Sequence, residues 1–144
     1  MHMAEKLDGA ITSCDIYEHK IKLLESEAHR LGLDNIDFQI NDAMKLNKEF
    51  LNKFDKVLID VPCSGSGIIS RKPEIKYQIN IKELKELNNK QWKILSISKD
   101  YVKRGGLLIY RTCSILKLEN EMMLKRFLEE NNDFTLEKFI KHMP

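Results

Sequence analysis

The chain has 144 residues, 42% of them hydrophobic and 32% charged, with 24 Lys and Arg set against 22 Asp and Glu for a net charge of +2. That length fits a single domain, residues 1–144, able to bury about 70% of its unfolded surface, and the composition excludes a disordered or fibrous polymer. The near balance of charge excludes a uniformly basic coat, so any surface for an anionic polymer has to be local.

In chain order, a short helix opens the sequence and a first strand is expected over Ala10 to Cys14, with Cys14 as a core residue. Tyr17 to Leu31 carries Ile21, Leu24, Ala28 and Leu31 at helical spacing, and Gly32 stands where a left-handed C-cap belongs. Ile36 to Ile40 and Lys56 to Ile59 read as the second and third strands. A long helix is expected from Ile81 to Val102, with Leu84, Leu87, Ile94, Leu95 and Val102 toward one side and Gly105-Gly106 ending it. Leu107 to Tyr110 is the fourth strand, and Glu119 to Glu130, with Met123, Leu124, Phe127 and Leu128, is the last helix. The third and fourth strands read as continuously buried. This alternation predicts an α/β fold built on an open, mostly parallel sheet, in which ligands bind beyond the carboxyl ends of the strands.

The chemistry-bearing residues fall at those ends. The third strand runs into Asp60-Val61-Pro62-Cys63-Ser64-Gly65-Ser66-Gly67, and the fourth into Tyr110-Arg111-Thr112-Cys113-Ser114. If the two strands are parallel neighbours, two thiols face one cleft, which suits a nucleophile on a planar ring with a second thiol or base beside it. Small buried cysteines are the bland alternative, but polar, glycine-bearing turns are a poor place for them. The chain's three cysteines, Cys14, Cys63 and Cys113, are odd in number and widely spaced. They offer neither a disulfide framework nor a metal-ligand pattern, and point to a reducing, cytoplasmic setting. No apolar run reads as a membrane helix or signal peptide, and Met1-His2-Met3 reads as an internal cut or an expression remnant.

The motifs DVPCSGSG and YRTCSI, with RKPEIKY after the first and LENEMMLKRFL after the second, resemble the Sun/Fmu-type family of ribosomal RNA cytosine-C5 methyltransferases. The similarity covers essentially the whole chain. It implies a Rossmann-like S-adenosylmethionine-dependent methyltransferase fold and an RNA substrate, ribosomal RNA first of all. It also implies a covalent mechanism: Cys113 adds to C6 of the cytosine, C5 takes the methyl group, and Cys63 assists release. By the same resemblance Asp60 contacts the ring near N3 and N4, the Pro62 carbonyl orients the base, and the target nucleotide is unpaired or flipped out. Asp15, Asp42 and Asp60 are the implied cofactor contacts, Asp15 for the ribose hydroxyls and Asp42 for the adenine. As plain structure, Asp15 and Asp42 would each cap the helix that follows.

Arg71, Lys72 and Lys76 crowd the segment after the Pro-Cys turn and are candidate RNA phosphate contacts, with Tyr77 a candidate stacking residue; a solvated surface is the equal alternative. The chain departs from the family pattern at its start, just beyond the glycine-rich cofactor loop and the central first strand, and at an early end. The fold is therefore read as truncated, with sheet edges that close on each other or invite self-association. Arg111 stands where the family often has a small residue, and either crowds the cleft or lowers the Cys113 pKa. The competing function is a non-catalytic RNA-binding or assembly domain that keeps the fold but not the cofactor. A cysteine hydrolase is disfavoured because His2, His19, His29 and His142 all lie away from both thiol motifs in the chain.

Overall fold

The computed structural model describes residues 9–68 and 80–140. It divides into two compact units, Met1–Asn47 and Lys48–Pro144. Among the described residues, the first unit holds β1 (Ile11–Asp15), α1 (Glu18–Arg30) and β2 (Ile36–Ile40). The second holds β3 (Phe54–Asp60), α2 (Ile81–Ser98), β4 (Val102–Arg111) and α3 (Glu121–Glu130), with short 3-10 turns between them. The short helix expected ahead of β1 lies outside the described residues. No described helix is long and apolar enough to cross a membrane.

In the first unit β1 and β2 pair in parallel, with Ile11 opposite Ile36 and Asp15 opposite Ile40. The connecting helix has Glu18 in its first turn and Arg30 in its last, charges that match the helix dipole. Its end is as the sequence predicts. Gly32 adopts φ +66, its N–H donates to the His29 carbonyl at 3.1 Å, and the Leu33 N–H donates to the Ala28 carbonyl at 3.0 Å, the paired bonds of a Schellman stop. Cys14 is exposed, not a core residue as expected. One helix covers one face of a two-stranded sheet, and successive strand residues alternate between faces.

In the second unit β3 and β4 are parallel neighbours, as the motif argument requires. Two expectations about them need correction. The Gly105-Gly106 pair does not end the long helix but lies inside β4, where the register jumps from Phe54 opposite Val102 to Lys56 opposite Leu107. Gly105 takes φ +77, and a Cβ on Gly106 would stand 2.7 Å from the Asp55 carbonyl oxygen, so both glycines are needed by a bulge. The helix itself stops at Ser98. Lys99–Tyr101 tightens into a 3-10 turn whose Asp100 and Tyr101 carbonyls accept the Asn52 and Lys53 N–H groups at 2.9 and 3.1 Å. Tyr101 is buried edge-on against Phe50, with ring centres 5.5 Å apart.

The strands are also not continuously buried. Ile59 is buried, while its neighbour Leu58 and the opposite Ile109 are 41% and 39% exposed. Helix α2 packs on one face of this pair, through Ile94, Leu95 and the polar Gln91 and Ser98, so cover alternates along the strands. The described strands form two parallel pairs, β1 with β2 in the first unit and β3 with β4 in the second. Helix α3 closes the second unit with Met123 and Phe127, starting two residues later than expected because Lys117–Glu119 forms a 3-10 turn.

Helix α2 begins where Asn80 Oδ1 accepts the Lys82 N–H at 2.9 Å. Replacing Asn80 with alanine is expected to cost about 1 kcal/mol, read as a lower urea midpoint; an unchanged midpoint would reject the cap.

Candidate active site

The ladder of β3 and β4 ends with Asp60 opposite Arg111, and one further bond, Val61 N–H to the Arg111 carbonyl at 3.1 Å, carries both chains into their cysteine turns together. Cys63 Sγ and Cys113 Sγ are then 2.7 Å apart, and the Cys113 N–H donates to Cys63 Sγ at 3.2 Å. The two sulfurs differ in environment. Cys113 is exposed and Cys63 half-buried. Burial, then the hydrogen bond to Cys113, pushes the Cys63 thiol up to about 12, so near neutral pH it keeps its proton. Either thiol can be the donor in the pair; what separates them is that Cys63 holds its proton while Cys113 is the accessible sulfur.

Glycines make room for this approach. Gly65 takes φ +69, and Gly67 N–H donates to the Cys113 carbonyl at 3.0 Å. Beneath the sulfurs lies a polar cluster that the sequence argument did not find. The Glu119 side chain is fully buried. Its Oε1 accepts the Ser64 N–H at 2.9 Å and Gln91 Nε2 at 2.8 Å. Its Oε2 accepts the Ser64 hydroxyl at 2.6 Å and the Ser114 hydroxyl. Gln91 Nε2 also donates to the Pro62 carbonyl at 2.8 Å, and Asn120 Nδ2 to the Ser114 carbonyl at 2.8 Å. Readable signals existed: Gln91 and Ser98 interrupt the apolar stripe of α2 at Leu87, Gln91, Ile94 and Ser98, and polar residues on a buried stripe need partners.

Burial works to raise the Glu119 carboxyl. Hydrogen bonds from Ser114, Ser64 and Gln91 outweigh it and hold the group below its ordinary value of 4.5. Since the folded pKa is the lower one, this carboxylate stabilises the fold fully above about pH 4.5, and the contribution is lost as pH falls through the folded value. Melting temperature followed from about pH 6 to about 3 should therefore drop less steeply in Glu119→Gln than in the native chain; parallel curves would refute the assignment.

Asp60 is exposed at the strand end, with Oδ2 3.7 Å from the Arg111 guanidinium. Arg111 thus meets a carboxylate. In the first unit, Asp15 is the last residue of β1 and Asp42 lies two residues past the end of β2, so both stand at the carboxyl ends of the parallel strands. Each accepts a backbone N–H two residues on, Asp15 Oδ1 from Tyr17 at 2.9 Å and Asp42 Oδ1 from Met44 at 3.0 Å, but neither is a helix cap: α1 is capped at Tyr17 without a side-chain bond, and a turn follows Asp42. Lys20 and Lys45 stand 3.4 and 3.6 Å from their second oxygens. A carboxylate has about four acceptor positions, which leaves both able to take a ligand's hydroxyl or amino hydrogens. Arg71, Lys72, Lys76 and Tyr77 lie outside the described residues.

The family model described as 16S rRNA methyltransferase RsmB/F matches residues 1–143. A probable ribosomal RNA small subunit methyltransferase B of Bacillus subtilis is 41% identical over 136 residues, covering 92% of this chain. A ribosomal RNA small subunit methyltransferase B of Escherichia fergusonii is 33% identical over 129 residues, or 90% of the chain. The chain spans 30% of the length of each of these relatives. Among solved structures, NSun6 from Pyrococcus horikoshii with SFG superposes with a TM-score of 0.79 at 28% identity, covering 90% of this chain and 33% of that one. A methyltransferase homologue from the same organism superposes with a TM-score of 0.71 at 29% identity, covering 85% and 37%.

Proposed function

This chain belongs to the 16S rRNA methyltransferase RsmB/F family, and from that membership we propose that it forms the reacting part of an enzyme that methylates C5 of a cytosine in ribosomal RNA. The observation that carries the reading is the sulfur pair at the ends of β3 and β4, 2.7 Å apart with one member exposed. Cys113 adds through sulfur to C6 of the ring, which moves an electron pair to C5. After C5 has been methylated, a base takes the C5 proton, the C6–S bond breaks and the ring double bond returns. Cys63 keeps its proton and donates it in a hydrogen bond to the departing Cys113 sulfur. Its part in release is thus to stabilise a leaving thiolate.

Asp60, at the same strand end, holds the N3 and N4 edge of the base, and Arg111 balances its charge. The Pro62 carbonyl, steadied by Gln91, is a second acceptor for orienting the ring. Asp15 and Asp42 are the residues that would hold S-adenosylmethionine, since acceptor-only carboxylates match ribose hydroxyls and an adenine amino group. SFG, present in the NSun6 structure, is an analogue of that cofactor. When bound, S-adenosylmethionine supplies a methyl group on a sulfonium. Arg71, Lys72 and Lys76 would contact RNA phosphates, and Tyr77 would stack on a base.

The test uses the full-length protein that carries this chain, with ribosomal RNA tritiated at cytosine C5. Transfer to C5 must release tritium in proportion to methyl groups gained, and only with cofactor. Methylated RNA that keeps its tritium would place the methyl on another atom.

A further inference from the structure

Glu119 is a fully buried carboxylate without a cation among its contacts with the described residues, where several hydrogen-bond donors stabilise it instead. The donors it has chosen are unusual in their placement. Ser64 directly follows Cys63, and Ser114 directly follows Cys113; both hydroxyls meet on the same oxygen, Oε2. The Ser64 N–H binds the other oxygen, so the first cysteine turn is held through backbone as well as side chain. Gln91 adds a third tie, bonding Oε1 and the Pro62 carbonyl at 2.8 Å each, which grips the residue before Cys63. Tyr110 Oη donates to the Glu119 carbonyl at 2.8 Å, fixing the carboxylate to β4 itself. Glu119 does not touch either sulfur in any of these bonds.

We infer that Glu119 is the positioning residue of the sulfur pair: one buried carboxylate links the residues next to both cysteines and so sets how closely Cys63 and Cys113 approach. A thiol–thiol approach of 2.7 Å between separate turns has no covalent bond to maintain it. Gly67 N–H to the Cys113 carbonyl ties the turns through backbone, and neutral bonds add to it, Cys113 N–H to Cys63 Sγ, Ser66 Oγ with Ser114 Oγ and Ile115 N–H to Ser66 Oγ; the Ser64–Glu119–Ser114 link differs from these in being made of charge-assisted bonds. The inference rests on the reading that this pair is the reactive element, but its test does not depend on methyl transfer.

The probe is phenylarsine oxide, which binds two thiols only when they are adjacent. Two As–S bonds replace the As–O bond, and both thiol protons leave with that oxygen as water. The chain is used with Cys14→Ser, so that Cys63 and Cys113 are its only thiols. The native pair should be captured one to one. Glu119→Gln should weaken capture by about tenfold or more, the loss expected from one charge-assisted hydrogen bond or greater, with the near-ultraviolet circular dichroism retained. Ser64→Ala and Ser114→Ala each remove a single hydroxyl, and together should weaken capture as Glu119→Gln does; they serve where the Glu119 variant does not fold. A variant that melts early yet captures arsenic within twofold of the native chain would overturn the inference, since a residue that only stabilises the fold would behave that way. Failure of tritium release with capture intact would instead count against the methylation reading and leave this one standing.

Discussion

Replacing Cys63 with alanine is expected to leave RNA covalently attached to the protein, while replacing Cys113 with serine prevents attachment altogether. The asymmetry follows from the two environments. Cys113 is the exposed sulfur, so it is the one that reaches a ring carbon; a serine there presents an alcohol too weakly acidic to attack. The Cys63 thiol, pushed up to about 12 by burial and by its bond to Cys113, stays protonated and so has a proton to donate to a thiolate beside it. Without it, the C6–S bond still forms but loses the hydrogen bond that stabilises the departing thiolate. Turnover should fall by about 10² to 10⁴-fold, the usual scale for a lost proton-transfer or hydrogen-bonding partner, and the adduct should accumulate. Denaturing electrophoresis of the full-length protein with labelled RNA reads both outcomes. Cys113→Ser should also abolish the stable adduct with 5-fluorocytosine RNA. An adduct that survives Cys113→Ser and vanishes in Cys63→Ala would reverse the assignment of the two cysteines.

The sequence made the ends of β3 and β4 legible because a buried strand followed by a proline, a cysteine and glycines has few local conformations. The Gly32 stop of α1 was legible for the same reason: one residue carried the whole signal. Gly105-Gly106 misled because paired glycines serve a helix end and a strand bulge equally well, and only the pairing of β3 with β4 decides between them. Cys14 and the two exposed strand residues Leu58 and Ile109 were misread because hydrophobicity records what a residue tolerates, not how many layers cover it. Glu119 was missed for the opposite reason. A carboxylate is expected at the surface, and of its donors only Ser114 is near it in the chain; Ser64 and Gln91 are brought to it by tertiary packing. The interruption of the α2 stripe at Gln91 was the one local trace of that cluster.

Gly67→Ala is expected to disable the sulfur pair while leaving both cysteines in place. The reason is space, since a Cβ at this position would stand 2.7 Å from the Cys113 carbonyl oxygen, 3.3 Å from its carbonyl carbon and 3.5 Å from Ile115 Cγ2. The first two are backbone atoms. They cannot rotate away as a side-chain end would, so the turn bearing Cys113 has to shift or the 3-10 turn at Ser66–Ile68 has to open. Either movement stretches the 3.0 Å bond from Gly67 N–H to the Cys113 carbonyl. Overpacking of this kind costs about 1–3 kcal/mol, which should appear as a lower unfolding midpoint. The functional loss should be larger than the stability loss, because a displacement of about 1 Å at a reacting centre can cost about 10²-fold in rate. Gly32→Ala offers the contrast: it strains a residue at φ +66 that has open space around it, so it should lower stability through the α1 stop without changing thiol reactivity. Alkylation of Cys113 and adduct formation are the measurements. If Gly67→Ala melts lower yet alkylates and forms adduct at the native rate, the close backbone approach does not control the nucleophile.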